Sequence, residues 1–181
     1  MGEIVKILND NNVVFDRGLS DVEIEQLEKL YCITFPPELK ELYKEVLPIS
    51  KGFYNWREAL ENKNMKKFKD ILGAPIEEIR NNIDEIDWND SWGEKPENEK
   101  DKEKLILEKL MAAPELIPVF GHRYMVSTSK SSYPVLSISG WDIIYYGNNL
   151  ETYFKIEFKI LNWKDMDFEN IKSVEFWSDI M

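Results

Sequence analysis

Apolar residues recur every three or four positions through the first part of the chain, which predicts helices. Ser20 and Glu23 have the spacing of a capping box, so a helix is expected to begin there. Another is expected after Pro36 and Pro37, because proline is favoured in the first helical turn. Two further helices are predicted beyond residue 64, the second opened by Pro75. The core-facing positions predicted for these helices are Ile24, Leu27, Leu30, Tyr31, Leu39, Leu42, Tyr43, Val46, Met65, Phe68, Ile71, Leu72, Ile76, Ile79, Ile83 and Ile86.

The pattern changes after Pro114 to short runs of β-type residues separated by glycine or serine, which is typical of an antiparallel meander. A helix capped by Asn148 and Asn149 is expected to follow, with a short helix near the C-terminus. Helices first and strands later indicate an α+β fold, a mostly antiparallel sheet flanked by helices with both faces of the sheet covered. The predicted strands cover residues 116–120, 123–127, 134–138 and 141–146.

Composition places the chain among folded, acidic proteins. Its 181 residues are 43% hydrophobic and 31% charged, enough for one domain, 1–181, with a sizeable core. The net charge of -11 disfavours binding to nucleic acid or to an anionic membrane. Cys32 is the only cysteine and no apolar leader or membrane-spanning stretch is present, so a soluble, cytoplasmic protein is expected.

The acidity is concentrated in a variable insert at about 75–104, which has eleven acidic and five basic side chains. Within it, Trp88 and Trp92 lie among carboxylates. The apolar residues around them show neither the helical nor the strand periodicity that would predict their burial. Tryptophan is enriched at the energetic centres of interfaces, and surrounding charges speed the encounter with a partner. We therefore predict Trp88 and Trp92 as partner-binding anchors, with Asp87, Asp90 and Glu94 as steering charges. The alternative is that both indoles cap the core beneath a charged loop.

Three aromatic residues of the predicted strands are secondary interface candidates. Alternation places neighbouring residues of the last strand on opposite faces of the sheet. A face without helices would offer its aromatic side chains to a partner. Tyr124, Trp141 and Tyr146 are the candidates, and packing into the core is the alternative for each.

Catalytic and cofactor chemistry has little support. One cysteine and one histidine cannot supply a common zinc site, and neither a phosphate-binding loop nor a serine hydrolase motif occurs, so no metal or cofactor is expected. His122, after Gly121 between two predicted strands, could act as a general base but has no evident nucleophile. The alternative is a structural role at the strand ends, and no catalytic residue is predicted.

Two blocks of the sequence resemble the SUKH superfamily, the Smi/Knr-like domains. The first lies in residues 19–43 and includes Phe35, Pro36 and Pro37; the second lies in 114–158 and includes the run from Pro114 to Tyr124. The family often has Asn-Gly after its second helix, where this chain keeps only Gly52. The resemblance implies an α+β domain without catalytic residues or cofactor. Bacterial members are thought to neutralise toxins, often nucleases, and fungal members regulate cell-wall synthesis.

Together these observations predict a non-enzymatic protein-binding module. The expected function is that of an immunity protein that neutralises a basic toxin domain by direct binding. An intracellular regulatory scaffold is the alternative, and a hydrolase that uses His122 is a third. The sequence leaves the partner and the oligomeric state open.

Overall fold

The computed structural model describes residues 2–181 and has the predicted α+β fold. Helices dominate the first half of the chain, and the longest strands follow residue 115. The helices are α1 (Gly2–Asp10), α2 (Asp21–Tyr31), α3 (Pro37–Glu45), α4 (Met65–Asn81), α5 (Glu99–Ala112) and α6 (Leu150–Glu157). The strands are β1 (Phe15–Arg17), β2 (Val46–Pro48), β3 (Leu116–Phe120), β4 (Arg123–Val126), β5 (Val135–Ser139) and β6 (Asp142–Gly147).

The main sheet is the predicted antiparallel meander. Its order is β3-β4-β5-β6, and every neighbouring pair is antiparallel. A separate two-stranded sheet pairs β1 with β2. The sequence did not predict this small sheet, because strands of three residues carry too little alternation to be recognised.

The main sheet has apolar side chains on both faces, and each face contacts a different core, as expected from the alternation of its residues. The first cluster lies against α1, α2, α3, α6 and the first half of α4. The second cluster lies against the second half of α4, α5 and the C-terminal residues. Residues that follow one another along a strand belong to different clusters. The sheet residues of the first cluster are Ile117, Val119, Met125 and Val135. Those of the second cluster are Leu116, Tyr124, Val126, Leu136, Ile138 and Ile143.

Two predicted helix starts have the expected caps. Ser20 Oγ accepts a hydrogen bond from the backbone N–H of Glu23 at 3.2 Å, and the Glu23 carboxylate accepts one from the Ser20 N–H at 2.8 Å. Asn149 Oδ1 accepts from the N–H of Thr152 at 2.9 Å at the start of α6. These side chains satisfy amide groups that a helix leaves unpaired, which is why local sequence located both starts.

Two helix predictions are wrong. Pro75 does not open a helix but lies inside α4, where its ring is buried and the helix passes from the first cluster to the second. The C-terminal helix is absent within residues 2–181, because residues 175–180 form turns. In addition, α1 was not foreseen, although Ile4, Ile7 and Leu8 bury its apolar face.

Arg57 joins the loop after β2 to the start of α2. Its guanidinium donates hydrogen bonds to the carboxylates of Asp16 and Glu23 and to the carbonyl oxygens of Arg17 and Gly18. A planar guanidinium with several donors suits such a set of acceptors. The capping box of α2 is therefore held by a residue more than thirty positions away.

No helix within residues 2–181 has the length and apolar character that crossing a membrane requires. In the same part of the chain, no group of three or more His, Cys, Asp or Glu side chains could hold a metal ion.

Candidate protein-binding surface

The acidic tryptophan segment, residues 83–94, runs from the end of α4 over the second cluster in two 3-10 turns, Ile83–Glu85 and Asp90–Trp92. Asn89 fixes its course in two ways. Its Oδ1 accepts from the N–H of Ser91 at 2.9 Å, and its Nδ2 donates to the carbonyl oxygen of Asp179 at 2.8 Å. The segment is thus attached to the C-terminal turn.

Trp88 and Trp92 are half-buried and pack on one another edge to face, with 5.5 Å between ring centroids. The Trp88 indole N–H donates to the carbonyl oxygen of Gly93 at 3.0 Å. The Trp92 indole N–H donates to the Asp179 carboxylate at 3.0 Å, and its ring stacks on Phe176. This packing is that of a core cap, so only the exposed parts of the two rings could touch a partner.

The carboxylates of the segment are exposed. Asp87, Asp90 and Glu94 form no ion pair with any of residues 2–181. The same holds for three further exposed acids beside them, Asp84, Glu85 and Glu97. Like charges without counter-charges raise the negative potential of a surface and attract a positive partner. We call these six side chains the acidic surface.

A cleft of about 510 Å³ lies between the segment, α5 and the C-terminal turn, and we call it the Trp92 cleft. Its apolar lining comes from the rings of Trp92 and Phe176 together with aliphatic side chains of α5. Carboxylates from α5 and the C-terminal turn complete it. The lining residues are Ser91, Trp92, Leu105, Glu108, Lys109, Ala112, Ala113, Glu175, Phe176 and Asp179. Sequence reasoning found only Trp92, because the other walls lie far along the chain.

The secondary candidates do not form one surface. Tyr124 is only 6% exposed and belongs to the second cluster. Tyr146 packs against the first cluster, on the opposite face of the sheet, with the Arg123 guanidinium 4.0 Å from its ring centroid. Trp141 is 50% exposed in the turn between β5 and β6. Of the three, Trp141 offers a partner the most aromatic surface.

His122 is exposed in the turn between β3 and β4, and its ring makes no hydrogen bond to any of residues 2–181. Partial desolvation, and then the Arg123 guanidinium, lower the pKa of its imidazole. The neutral form that results is the one a general base requires, but a nucleophile within hydrogen-bond reach is also required. His122 has none among the described residues.

This surface combines exposed carboxylates with an apolar cleft. Its carboxylates can attract cations, and the walls of the Trp92 cleft can cover apolar carbons. Both properties suit recognition of a positively charged protein segment. Comparisons of the chain with protein-family models, with curated proteins and with solved structures found no match.

Proposed function

We propose that the protein is a binding module that sequesters a basic protein partner through the acidic surface and the adjoining Trp92 cleft. The observation that carries the proposal is the set of six exposed carboxylates without ion pairs in residues 84–97, the stretch that also supplies Ser91 and Trp92 to the wall of an aromatic cleft. Elsewhere, some acidic side chains, such as Asp16, Glu23 and Glu28, are paired with lysine or arginine, and unpaired ones such as Glu3, Glu25 and Glu45 lie singly on different helices. The acidic surface makes no such contribution to the fold.

A protein partner suits this surface better than a nucleic acid or a small molecule. Phosphate backbones are repelled by the net charge of -11. The cleft is open and continuous with exposed carboxylates, whereas small-molecule sites bury most of the ligand. Interfaces between proteins combine an apolar centre with a polar rim, and the Trp92 cleft likewise combines apolar walls with the carboxylates of Glu108, Glu175 and Asp179.

The proposed biological role is that of an immunity protein whose partner is a basic toxin domain. The resemblance of residues 19–43 and 114–158 to the SUKH superfamily supports this role. Charge supports it too, because an acidic surface speeds the encounter with a basic domain and suppresses binding to acidic proteins. Neutralisation would then follow from direct coverage of the toxin.

The test uses the full chain and the protein that co-purifies with it from its native cells, reconstituted from purified components. The variant Asp87→Lys/Asp90→Lys/Glu94→Lys should bind at least about tenfold more weakly, because it replaces attraction by repulsion. The control Glu3→Lys/Glu25→Lys/Glu45→Lys changes the charge equally at exposed carboxylates on α1, α2 and α3, and should leave the affinity within about twofold.

Two results would refute the proposal. One is a partner whose affinity falls equally in the two triple variants, which would show that only net charge matters. The other is a partner with no excess of basic residues that binds the Asp87, Asp90 and Glu94 variant as it binds the unmodified chain. For the immunity role, the purified partner must also have a toxic activity that the unmodified chain inhibits.

A further inference from the structure

We propose that the Trp92 cleft receives an arginine side chain of the partner, with the guanidinium over the indole ring and beside the carboxylates of the cleft. This inference rests on the proposed function and identifies the group that the site recognises. It also assigns Trp92 a different role from the one predicted from sequence. Trp92 is a wall of the receiving cleft, not an anchor that inserts into the partner.

The charges that line the cleft favour a cation. Three carboxylates line it, those of Glu108, Glu175 and Asp179, against the single ammonium of Lys109. Asp179 is occupied with the indole N–H of Trp92 at 3.0 Å and the backbone N–H of Phe176 at 3.2 Å. Glu108 and Glu175 are exposed; Glu108 makes one long ion pair along α5, at 4.0 Å to the Lys104 ammonium, and Glu175 makes none within residues 2–181. These two carboxylates remain available to a partner's guanidinium.

A cation of the chain itself already lies over the Trp92 ring. The Lys109 ammonium is 5.4 Å from the centroid of the indole, within the distance at which a cation is attracted to an aromatic face. Lys109 therefore occupies the position that a partner's cation would take. An incoming side chain has to compete with it.

Arginine competes better than lysine for such a site. Its guanidinium is planar, so it can stack on an indole, and it is less strongly hydrated than an ammonium. It also presents a fork of donors that matches a carboxylate geometrically. The methylene groups of the side chain can lie along Leu105 and Ala112 on α5, since long cationic side chains place their carbon chains on apolar surface.

The experiment uses the full chain and two synthetic nine-residue peptides, in which three arginines, or three lysines, alternate with alanine and leucine. Calorimetry gives the affinities, and the indole N–H signal of Trp92, assigned with Trp92→Phe, reports the site by nuclear magnetic resonance. The arginine peptide should bind about fivefold more tightly than the lysine peptide and shift the Trp92 signal. Glu108→Gln/Glu175→Gln should weaken the arginine peptide about fivefold or more.

The matched lysine variants test the competition. Lys109→Met removes the competing ammonium and its positive charge from the face of the ring, so the arginine peptide should bind about threefold more tightly. Lys95→Met removes the same charge from an exposed position of the insert outside the cleft and should change the affinity less than about 1.5-fold. Equal gains in the two variants would overturn the inference, as would equal affinity for the two peptides with an unmoved Trp92 signal.

Different binding results would refute the arginine site and the proposed function. If the Asp87, Asp90 and Glu94 variant loses the partner protein while Glu108→Gln/Glu175→Gln binds it unchanged, the module binds its partner without the Trp92 cleft and only the arginine site is refuted. If the partner binds the Asp87, Asp90 and Glu94 variant with the same affinity as the unmodified chain, the proposed function is refuted. The peptide measurements still decide whether the cleft is an arginine site.

Discussion

The Trp92 indole lies parallel to the Phe176 ring, with an angle of 5° between the planes and 6.0 Å between the centroids. Stacked aromatic pairs contribute about 0.5–1.5 kcal/mol beyond the area that they bury. The stack joins the acidic tryptophan segment to a turn more than eighty positions later in the chain. It fixes one wall of the cleft in the absence of a partner.

Replacing Trp92 with alanine should therefore lower stability whether or not a partner is present. We expect a loss of about 2 kcal/mol, less than for a fully buried tryptophan, and a fall in Tm of roughly 4–8 °C. Trp141→Ala is the control, because that indole is 50% exposed and should cost less than about 0.5 kcal/mol. Calorimetric unfolding checks both variants. Equal Tm values for Trp92→Ala and the unmodified chain would contradict the packing described here.

Reversing one charge of the acidic surface should change the rate of association with the proposed basic partner. Asp90 is exposed and without an ion pair within residues 2–181, so Asp90→Lys leaves the fold intact. Charges at the edge of an interface act mainly on the encounter, and we expect association to slow by about threefold or more and to depend less on salt. Stopped-flow measurements at two ionic strengths give both quantities. A change confined to the dissociation rate would place Asp90 inside the interface.

The Arg57 contacts predict a dependence of stability on pH. The Arg57 guanidinium, followed by the backbone N–H of Ser20, holds the pKa of the Glu23 carboxyl well below its ordinary value of 4.5. A carboxyl with a lowered pKa stabilises the fold above the pKa of the unfolded state, and this stabilisation is lost as the pH falls through the folded-state pKa. Arg57→Met should cost about 1–3 kcal/mol at pH 7.

The difference between the unmodified chain and Arg57→Met should shrink below about pH 4.5, because Glu23 of the folded variant lacks the guanidinium and takes up a proton at a higher pH than Glu23 of the folded unmodified chain. Urea unfolding at pH 7, 5 and 3 measures it. Lys44→Met is the control, since the Lys44–Asp21 pair is exposed and should contribute less than about 1 kcal/mol. A difference that stays constant over this pH range would show that Arg57 acts through packing and its bonds to the carbonyl oxygens of Arg17 and Gly18, and not through the carboxylates.

Local signals in the sequence were enough for part of the fold. Ser20 with Glu23, and Asn149, located two helix starts because a cap acts within three residues. Short runs of β-type residues separated by glycine or serine located the four strands of the main sheet. The prediction that Pro75 opens a helix was wrong. Proline lacks the backbone N–H that a helix interior needs, so local rules place it at a helix start. In α4 the proline ring is instead buried inside the helix's packed face, which only the tertiary structure shows.

The candidate site was less accessible to sequence reasoning. The tryptophans and carboxylates of the insert were recognisable from its composition. The residues around Trp92 in the sequence, however, do not distinguish an exposed indole from one packed on the core. Trp92 packs on Phe176, and no short-range pattern in the sequence connects these two residues. The Trp92 cleft has walls from three distant parts of the chain, so it exists only once the second cluster has formed.

Gly147 marks a close approach of β6 to α6. A Cβ atom built there would lie 2.5 Å from the Cβ and 2.6 Å from the Cα of Tyr153, closer than atoms can pack. Gly147→Ala should destabilise the protein by about 1–3 kcal/mol. Gly73→Ala is the matched control: inside α4 its new methyl group meets no atom within 4 Å, and alanine should stabilise the helix by about 0.5–1 kcal/mol. Denaturant midpoints that move in the same direction would contradict this geometry.

The main sheet also separates the proposed binding surface from the first cluster. Its residues contribute alternately to the first and second clusters, and only the second carries Trp88, Trp92 and the C-terminal turn. Substitutions distant from one another have nearly additive effects on stability. Under the proposed function, substitutions in the layer around the second cluster would alter the binding surface while the helices on the other face keep their contribution to stability, so the choice of partner could change without the fold being rebuilt.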